Sequence, residues 1–280
     1  MSRFLLCILL LVEIWTFDRF VKNGYHMNME IHTLTILHYG ADYLSYALRS
    51  VYHSVDQLHI FYTPTPSHGH STNVPPIETK EELQAAAYTY DPDDKIRWHD
   101  VIGATQEGDH RDLALKTVEA AGAEIVLVVD YDEIWPADTL TLFLSDIWER
   151  GAARNNLVNM IHFWRSFNWA CEDNGWPVRI IDLRFDKGTK YLSADRVFHF
   201  GYAITDKVMR YKWQIHGHKN ELQPDWFVNK WQVWPPPDNC HPTNGRNEKG
   251  EAFWSPEPFN KERLPEFMRT HPFYSLEKIE

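Results

Sequence analysis

The sequence predicts an α/β protein, a mostly parallel sheet with helices on both faces, followed by an aromatic-rich C-terminal lobe. Three observations carry this expectation. Short β-branched runs alternate with segments of helical periodicity over residues 31 to 149. The run Glu124 to Val129 (EIVLVV) is apolar after its first residue, as a central parallel strand covered on both faces must be. It leads directly into Asp130-Tyr131-Asp132-Glu133. Eight of the 12 tryptophans fall between Trp164 and Trp254, so the second half of the chain is built from larger rings than the first.

Taken in order, Ile31 to His38 (IHTLTILH) reads as a buried strand bounded by Tyr39-Gly40. Asp42 is positioned to cap the helix that follows, in which Leu44, Ala47, Leu48, Val51 and Val55 recur at helical spacing. Leu58 to Tyr62 is a second strand. It opens into TPTPSHGHSTNVPP, where Pro, Gly and Ser forbid regular structure. Glu78 to Tyr88 is a helix, Ile96 to Val101 a strand, and Asp109 to Gly122 a helix with Leu113, Leu115, Val118 and Ala121 as its apolar positions. Ala137 to Glu149 is helical, and then the pattern changes to aromatic strands at Leu157 to Phe167, Val178 to Leu183 and Arg196 to Phe200. Prolines confine C-terminal helices to Asn229 to Val233 and Lys261 to Thr270. No linker, charge run or internal repeat divides the chain.

Composition narrows the function classes. The 280 residues carry 28 Lys+Arg against 39 Asp+Glu, a net charge of −11, which opposes a bulk electrostatic grip on nucleic acid. A local basic patch at Lys207, Arg210, Lys212 and Lys219 is the exception. The three cysteines, Cys7, Cys171 and Cys240, match neither a disulfide framework nor a CxxC zinc site and fit a reducing, cytoplasmic setting. Phe4 to Phe17 is apolar but holds Glu13 and is shorter than the ~20 residues of a membrane span. Residues 1–28 are therefore expected to be a leader outside the fold. It is a peripheral anchor, a poor signal sequence, or a mis-assigned start with translation beginning at Met27 or Met29, the last being preferred. Any membrane association would run through residues 4–17.

The DYDE stretch carries the chemistry. Ligands bind at the carboxyl ends of strands in such sheets. Two carboxylates one residue apart suit a hard divalent cation, Mg²⁺ or Mn²⁺, which keeps open positions for phosphate oxygens. An unpaired acidic cluster ending a buried strand would be expensive unless something positive sits against it.

Here the sequence resembles a family. GDHRDLALKTVEAAGAEIVLVVDYDEIWP is similar to the central segment of GT-A-fold glycosyltransferases of the family 2 type, where a helix opening with an Arg precedes a strand ending in DxD. ILHYGADYLSYALRSVYHSVDQLHIFY resembles their first βαβ unit, and FHFGYA at Phe198 to Ala203 resembles their H-[FY]-G-Y element. The match covers roughly Ile31 to Ala203. It implies a GT-A-like, Rossmann-type mixed sheet flanked by helices as the catalytic domain, residues 29–203, with 204–280 as an acceptor-side wrap.

The resemblance also implies roles. Asp132 and His199 would ligate the metal, with Asp130 contacting the ribose or a metal-bound water. His38 and Tyr39 would line the nucleotide site, Arg111 would meet the diphosphate, and Tyr202 would pack near the phosphates. The usual Arg-Asn is Arg111-Asp112 here, so that Asn contact is missing. The donor would be a UDP- or GDP-sugar. The acceptor would be a glycan, a protein or a modified nucleobase, with inversion at the sugar carbon. The base would be Asp173, then Glu172 or Asp195.

Other classes stay open at this point. His216, His218 and Glu221 have an HxH-plus-acid pattern that could hold zinc for a hydrolase. His68-Gly69-His70 lacks such an acid. A nucleotidyltransferase would share the acidic metal site, but HYGADYL lacks its Gly-rich basic loop. A carbohydrate-binding module would use the tryptophans and leave DYDE unexplained.

Overall fold

The computed structural model describes residues 29–66, 75–102, 107–150, 153–172, 175–215, 223–242 and 254–280. The 1–28 leader, His68-Gly69-His70, Asp173 and the His216/His218/Glu221 set lie outside the described residues.

The parallel half follows the alternation of the sequence. β1 (Ile31–Leu37), α1 (Ala41–Val51), β2 (Gln57–Tyr62), α2 (Lys80–Ala87), β3 (Ile96–Asp100), α3 (Glu107–Ala120) and β4 (Ile125–Val128) succeed one another. β1 pairs in parallel with β2 on one side and β4 on the other, and β2 pairs with β3. The chain thus moves outward from β1 to β3 and returns to β4 on the far side of β1. With right-handed crossovers, that reversal places α1 and α3 on opposite faces and opens a crevice between the carboxyl ends of β1 and β4.

Packing follows from the periodicities. Ala114 and Val118 of α3 sit one turn apart and meet Leu34, Phe61 and Val126 on alternate strand positions. α1 buries Leu44, Ala47, Leu48 and Val51. Its cap differs from expectation: Asp42 lies inside the first turn, and Gly40 is the N-cap with no side-chain cap of its own. The carboxylate of Glu78 serves instead, accepting from the Gly40 N–H at 2.6 Å and the Ala41 N–H at 3.0 Å. Glu78 thereby precedes α2 rather than starting it. Thr79 caps α2 in a reciprocal box with Glu82.

The second half is mixed, with β6 and β9 parallel and the other pairings antiparallel; it contains β5 (Glu133–Ile134), α4 (Ala137–Arg150), β6 (Asn155–Trp164), β7 (Trp169–Glu172), β8 (Val178–Asp182), β9 (Thr189–Tyr202), α5 (Asp206–Ile215) and β10 (Glu257–Pro258). β8 bridges the halves, pairing antiparallel with both β4 and β6. The expected strand from Leu157 to Phe167 is β6, which starts two residues earlier and ends at Trp164; β7 was not foreseen, and the strand expected from Arg196 is the end of the longer β9. α5 was not foreseen; its buried Val208, Tyr211 and Ile215 recur at helical spacing.

Residues 31–280 form one compact unit, and the C-terminal wrap reaches further than the second lobe. Arg165, 1% exposed, donates to the carbonyls of Trp231 and Ile279 and pairs with Asp206. His271 stacks on Tyr43 of α1 at 4.5 Å, with Nε2 bonded to the Asp42 carbonyl and Nδ1 accepting from the Phe273 N–H.

Both ring nitrogens of His271 are thus satisfied only in the neutral form, and burial lowers its pKa to about 4. Burial likewise lowers His59 to about 4, in a stack with His32 and His99 across β1, β2 and β3. An unfolded histidine takes its proton near 6.5, so between pH 6.5 and 4 the unfolded chain binds more protons. Stability is therefore expected to fall as pH drops through that window, by on the order of 2–3 kcal/mol per histidine. Melting temperature measured from pH 7 to pH 4.5 checks this, and His271→Gln, which keeps a donor and an acceptor, should flatten the slope.

Candidate active site

The crevice between β1 and β4 holds the two motifs closest to each other in the sheet. Val128 of β4 lies opposite Leu34 of β1, so His38-Tyr39-Gly40 and Asp130-Tyr131-Asp132 emerge side by side. Gly40 is required there. Its φ is +125°, and a Cβ would fall 2.0 Å from the Tyr131 ring. Gly40→Ala is expected to cost about 2–3 kcal/mol from backbone strain and ring displacement, read as a fall in melting temperature of roughly 5–10 °C.

The acidic stretch is neutralised from β8. The Arg179 guanidinium reaches Asp130 Oδ2 at 2.6 Å and Glu133 Oε1 at 2.6 Å, with its Nε donating to both Glu133 oxygens. Glu133 is fully buried, and burial, outweighing Arg179, raises its pKa to about 7. Burial works against the Arg179 charge too, yet Asp130 and Glu133 hold its pKa above the usual arginine range.

Asp132 faces a different set. It is 3% exposed, and His199 Nε2 approaches its Oδ1 at 3.5 Å. Burial pushes its carboxyl upward, but His199 and Lys212 prevail and hold it at about 2. The other ring nitrogen of His199, Nδ1, lies 2.7 Å from Nδ1 of His162, its register partner across β6 and β9. Trp254 stacks over His162 at 4.4 Å. Lys212 of α5 donates to the Gly201 carbonyl at 2.9 Å and lies over the Tyr202 ring at 4.8 Å. Burial lowers its ammonium, opposed by Asp132 and Asp130. At Gly201 a Cβ would fall 2.6 Å from the His199 ring and 3.2 Å from Asp132 Oδ2, which is why the HFGY element needs glycine.

The remaining expected residues separate into groups. His38 is tied at both nitrogens, to the Thr63 carbonyl at 2.8 Å and the Tyr211 hydroxyl at 2.6 Å. Tyr39 packs on Tyr131 at 5.2 Å and Tyr211 at 5.7 Å, and burial raises its hydroxyl pKa. Tyr202 stacks on Trp164 at 5.5 Å. Arg111 is half-buried on α3, in its second turn rather than at its first residue. Glu172 is 63% exposed and paired with Arg196, while Asp195 accepts from the Thr139 hydroxyl. Cys171 and Cys240 are buried.

Three contributors escaped the sequence reading: Arg179, His162 and, as a site group, Lys212. An arginine inside VRIID and a histidine inside MIHFW are each a polar residue in an apolar strand, a signal that something polar faces it.

Among the described residues, no group of three or more His, Cys, Asp or Glu converges as a closed cation cage. Asp132 and His199 offer one oxygen and one nitrogen donor. That set fits a hard divalent cation that completes its shell with phosphate oxygens and water.

No protein-family model and no curated protein sequence matches the chain. Among solved structures it is similar to S. aureus TarS, with 15% identity and a TM-score of 0.38 over 61% of this chain and 37% of that one. A TarS structure spanning residues 1–349 superposes at 13% identity and a TM-score of 0.39, over 61% of this chain and 60% of that one. The chain thus spans between about a third and three fifths of the proteins it matches, and a superposition this weak carries no argument about function.

Among the described residues, no helix is long and apolar enough to cross a membrane. The class defined by fold and geometry is a mixed α/β protein with helix-flanked parallel strands and an acidic site at its topological switch point.

Proposed function

We propose that the protein is a metal-dependent glycosyltransferase that moves a sugar from a UDP- or GDP-sugar to an acceptor hydroxyl with inversion. The observation that carries this reading is Asp132: a buried carboxylate held ionised beside His199 and Lys212, at the carboxyl end of the central strand. The likeness of three sequence motifs in order to GT-A enzymes supports it.

In this reading Asp132 and His199 hold Mn²⁺ or Mg²⁺, with Asp130 toward the ribose, and the ion supplies Lewis-acid stabilisation of the departing diphosphate. The chain's own cations act on the same charge. Lys212 brings an ammonium to the site, and Arg111 adds a guanidinium beyond the first turn of α3. Tyr39, packed on Tyr131, walls the nucleotide side, and His38 braces that wall against β2 and α5. A carboxylate takes the acceptor proton as the hydroxyl attacks. Asp173 is the proposed base, from its place between the DxD and His motifs in the order of the resembled family, with Glu172 and Asp195 as the alternatives.

Thermal unfolding with UDP- and GDP-sugars, each with and without Mn²⁺, tests the proposal. A saturating donor is expected to raise the midpoint by about 5–10 °C, from roughly 2.7 kcal/mol of linkage at a hundredfold excess over Kd. No shift with any nucleotide sugar would overturn it.

A further inference from the structure

A second site adjoins the first through one shared side chain. Trp254 stacks on His162 and packs edge-on to Tyr202 at 4.8 Å, and it also lines a cavity of about 420 Å³. The contacts therefore run from Asp132 to His199, His162, Trp254 and the cavity. That volume lies in the range of small-molecule pockets.

The lining has a particular chemistry. The lining holds Arg196, ion-paired with Glu172, together with Arg263 and Glu257, two positive and two negative groups, with Trp254 and Phe259 as aromatic surfaces. Balanced charge gives no net attraction for an anion or a cation. Forked guanidinium donors beside carboxylate acceptors do match a ligand whose every edge is both donor and acceptor, namely a polyol. Aromatic rings supply the apolar platform that the C–H face of a sugar ring requires.

The backbone gives a second, independent observation. Trp254 has φ of +60°, a left-handed conformation that a bulky residue adopts at a cost of about 1–3 kcal/mol. Strain of this kind persists where a side chain must be presented in one orientation, and ligand clamps are a recurring case. Here the orientation places one indole against both His162 and the cavity.

We infer that this cavity is a carbohydrate-binding site that seats a neutral sugar unit of the acceptor, with Trp254 as the boundary between acceptor and donor sides. The assignment of the sugar as acceptor rests on the proposed transferase reading. The sugar binding itself does not.

The test is saturation-transfer NMR on the full chain with methyl glycosides of glucose, galactose, mannose and N-acetylglucosamine, and with cellobiose and maltose, in the absence of any nucleotide. At least one sugar is expected to give ring-proton transfer. Arg196→Leu and Glu257→Gln should each weaken that binding about tenfold, the loss of one charged hydrogen bond. Glu257 is exposed and Arg196 half-buried, and unchanged melting temperatures verify the fold. No transfer from any of these sugars to the wild type, or transfer equally strong in both variants, overturns the site. Sugar binding with no nucleotide-sugar shift would leave the cavity standing and remove the transferase reading, so the two failures are distinguishable.

Discussion

Asp132→Ala is expected to lower sugar transfer by about 10³-fold or more, and to abolish the Mn²⁺-dependent part of the donor-induced thermal shift. The size follows from what Asp132 does without any ligand. It is the carboxylate that His199 Nε2 approaches, and its charge opposes the lowering that burial imposes on the Lys212 ammonium. Removing it deletes one of two proposed metal donors and leaves Lys212 with less negative charge to face. Asp132→Asn keeps the shape and should lose activity nearly as completely, because the amide supplies no charge. Single-turnover rates with saturating donor, with calorimetry of Mn²⁺ binding in parallel, check both. Wild-type metal affinity in Asp132→Ala would remove this carboxylate from the metal site.

Arg179→Met is expected to be the most destabilising single change near the site, costing about 3–5 kcal/mol. Arg179 forms ion pairs with both Asp130 and fully buried Glu133. Methionine fills much of the same volume but leaves two carboxylates to face each other. Deleting one partner of a buried pair costs more than the pair contributes, because the remaining charge is uncompensated. Adding Glu133→Gln should recover part of the loss by removing one of those charges, a coupling expected between residues in direct contact. Urea unfolding of the two single variants and the double variant measures it. Additive losses would show that Arg179 acts through packing rather than charge.

Much of the parallel half was legible along the chain. EIVLVV is a local signature of a strand covered on both faces, and all four residues of β4 are buried, with β1 parallel and β8 antiparallel as its neighbours in the sheet. The position of DYDE at its carboxyl end follows from order alone. The cap of α1 was not legible, because Glu78 reaches Gly40 from 38 residues away and a nearer acid, Asp42, has the same chemistry. α5 was hidden in a segment whose lysines and arginines drew attention to surface charge rather than to its buried face.

The sequence by itself determined the sheet of the first half, the acidic strand end and the aromatic character of the second half, because hydrophobic periodicity and strand-terminal charge are properties of neighbours in the chain. Only the tertiary structure decided that Arg179 neutralises Glu133 across 46 residues, that His162 meets His199 across 37, and that Trp254 joins that pair to a cavity. Those choices depend on strand register and on which of two faces each side chain takes. A pattern with a period of two leaves open which partner strand will be met.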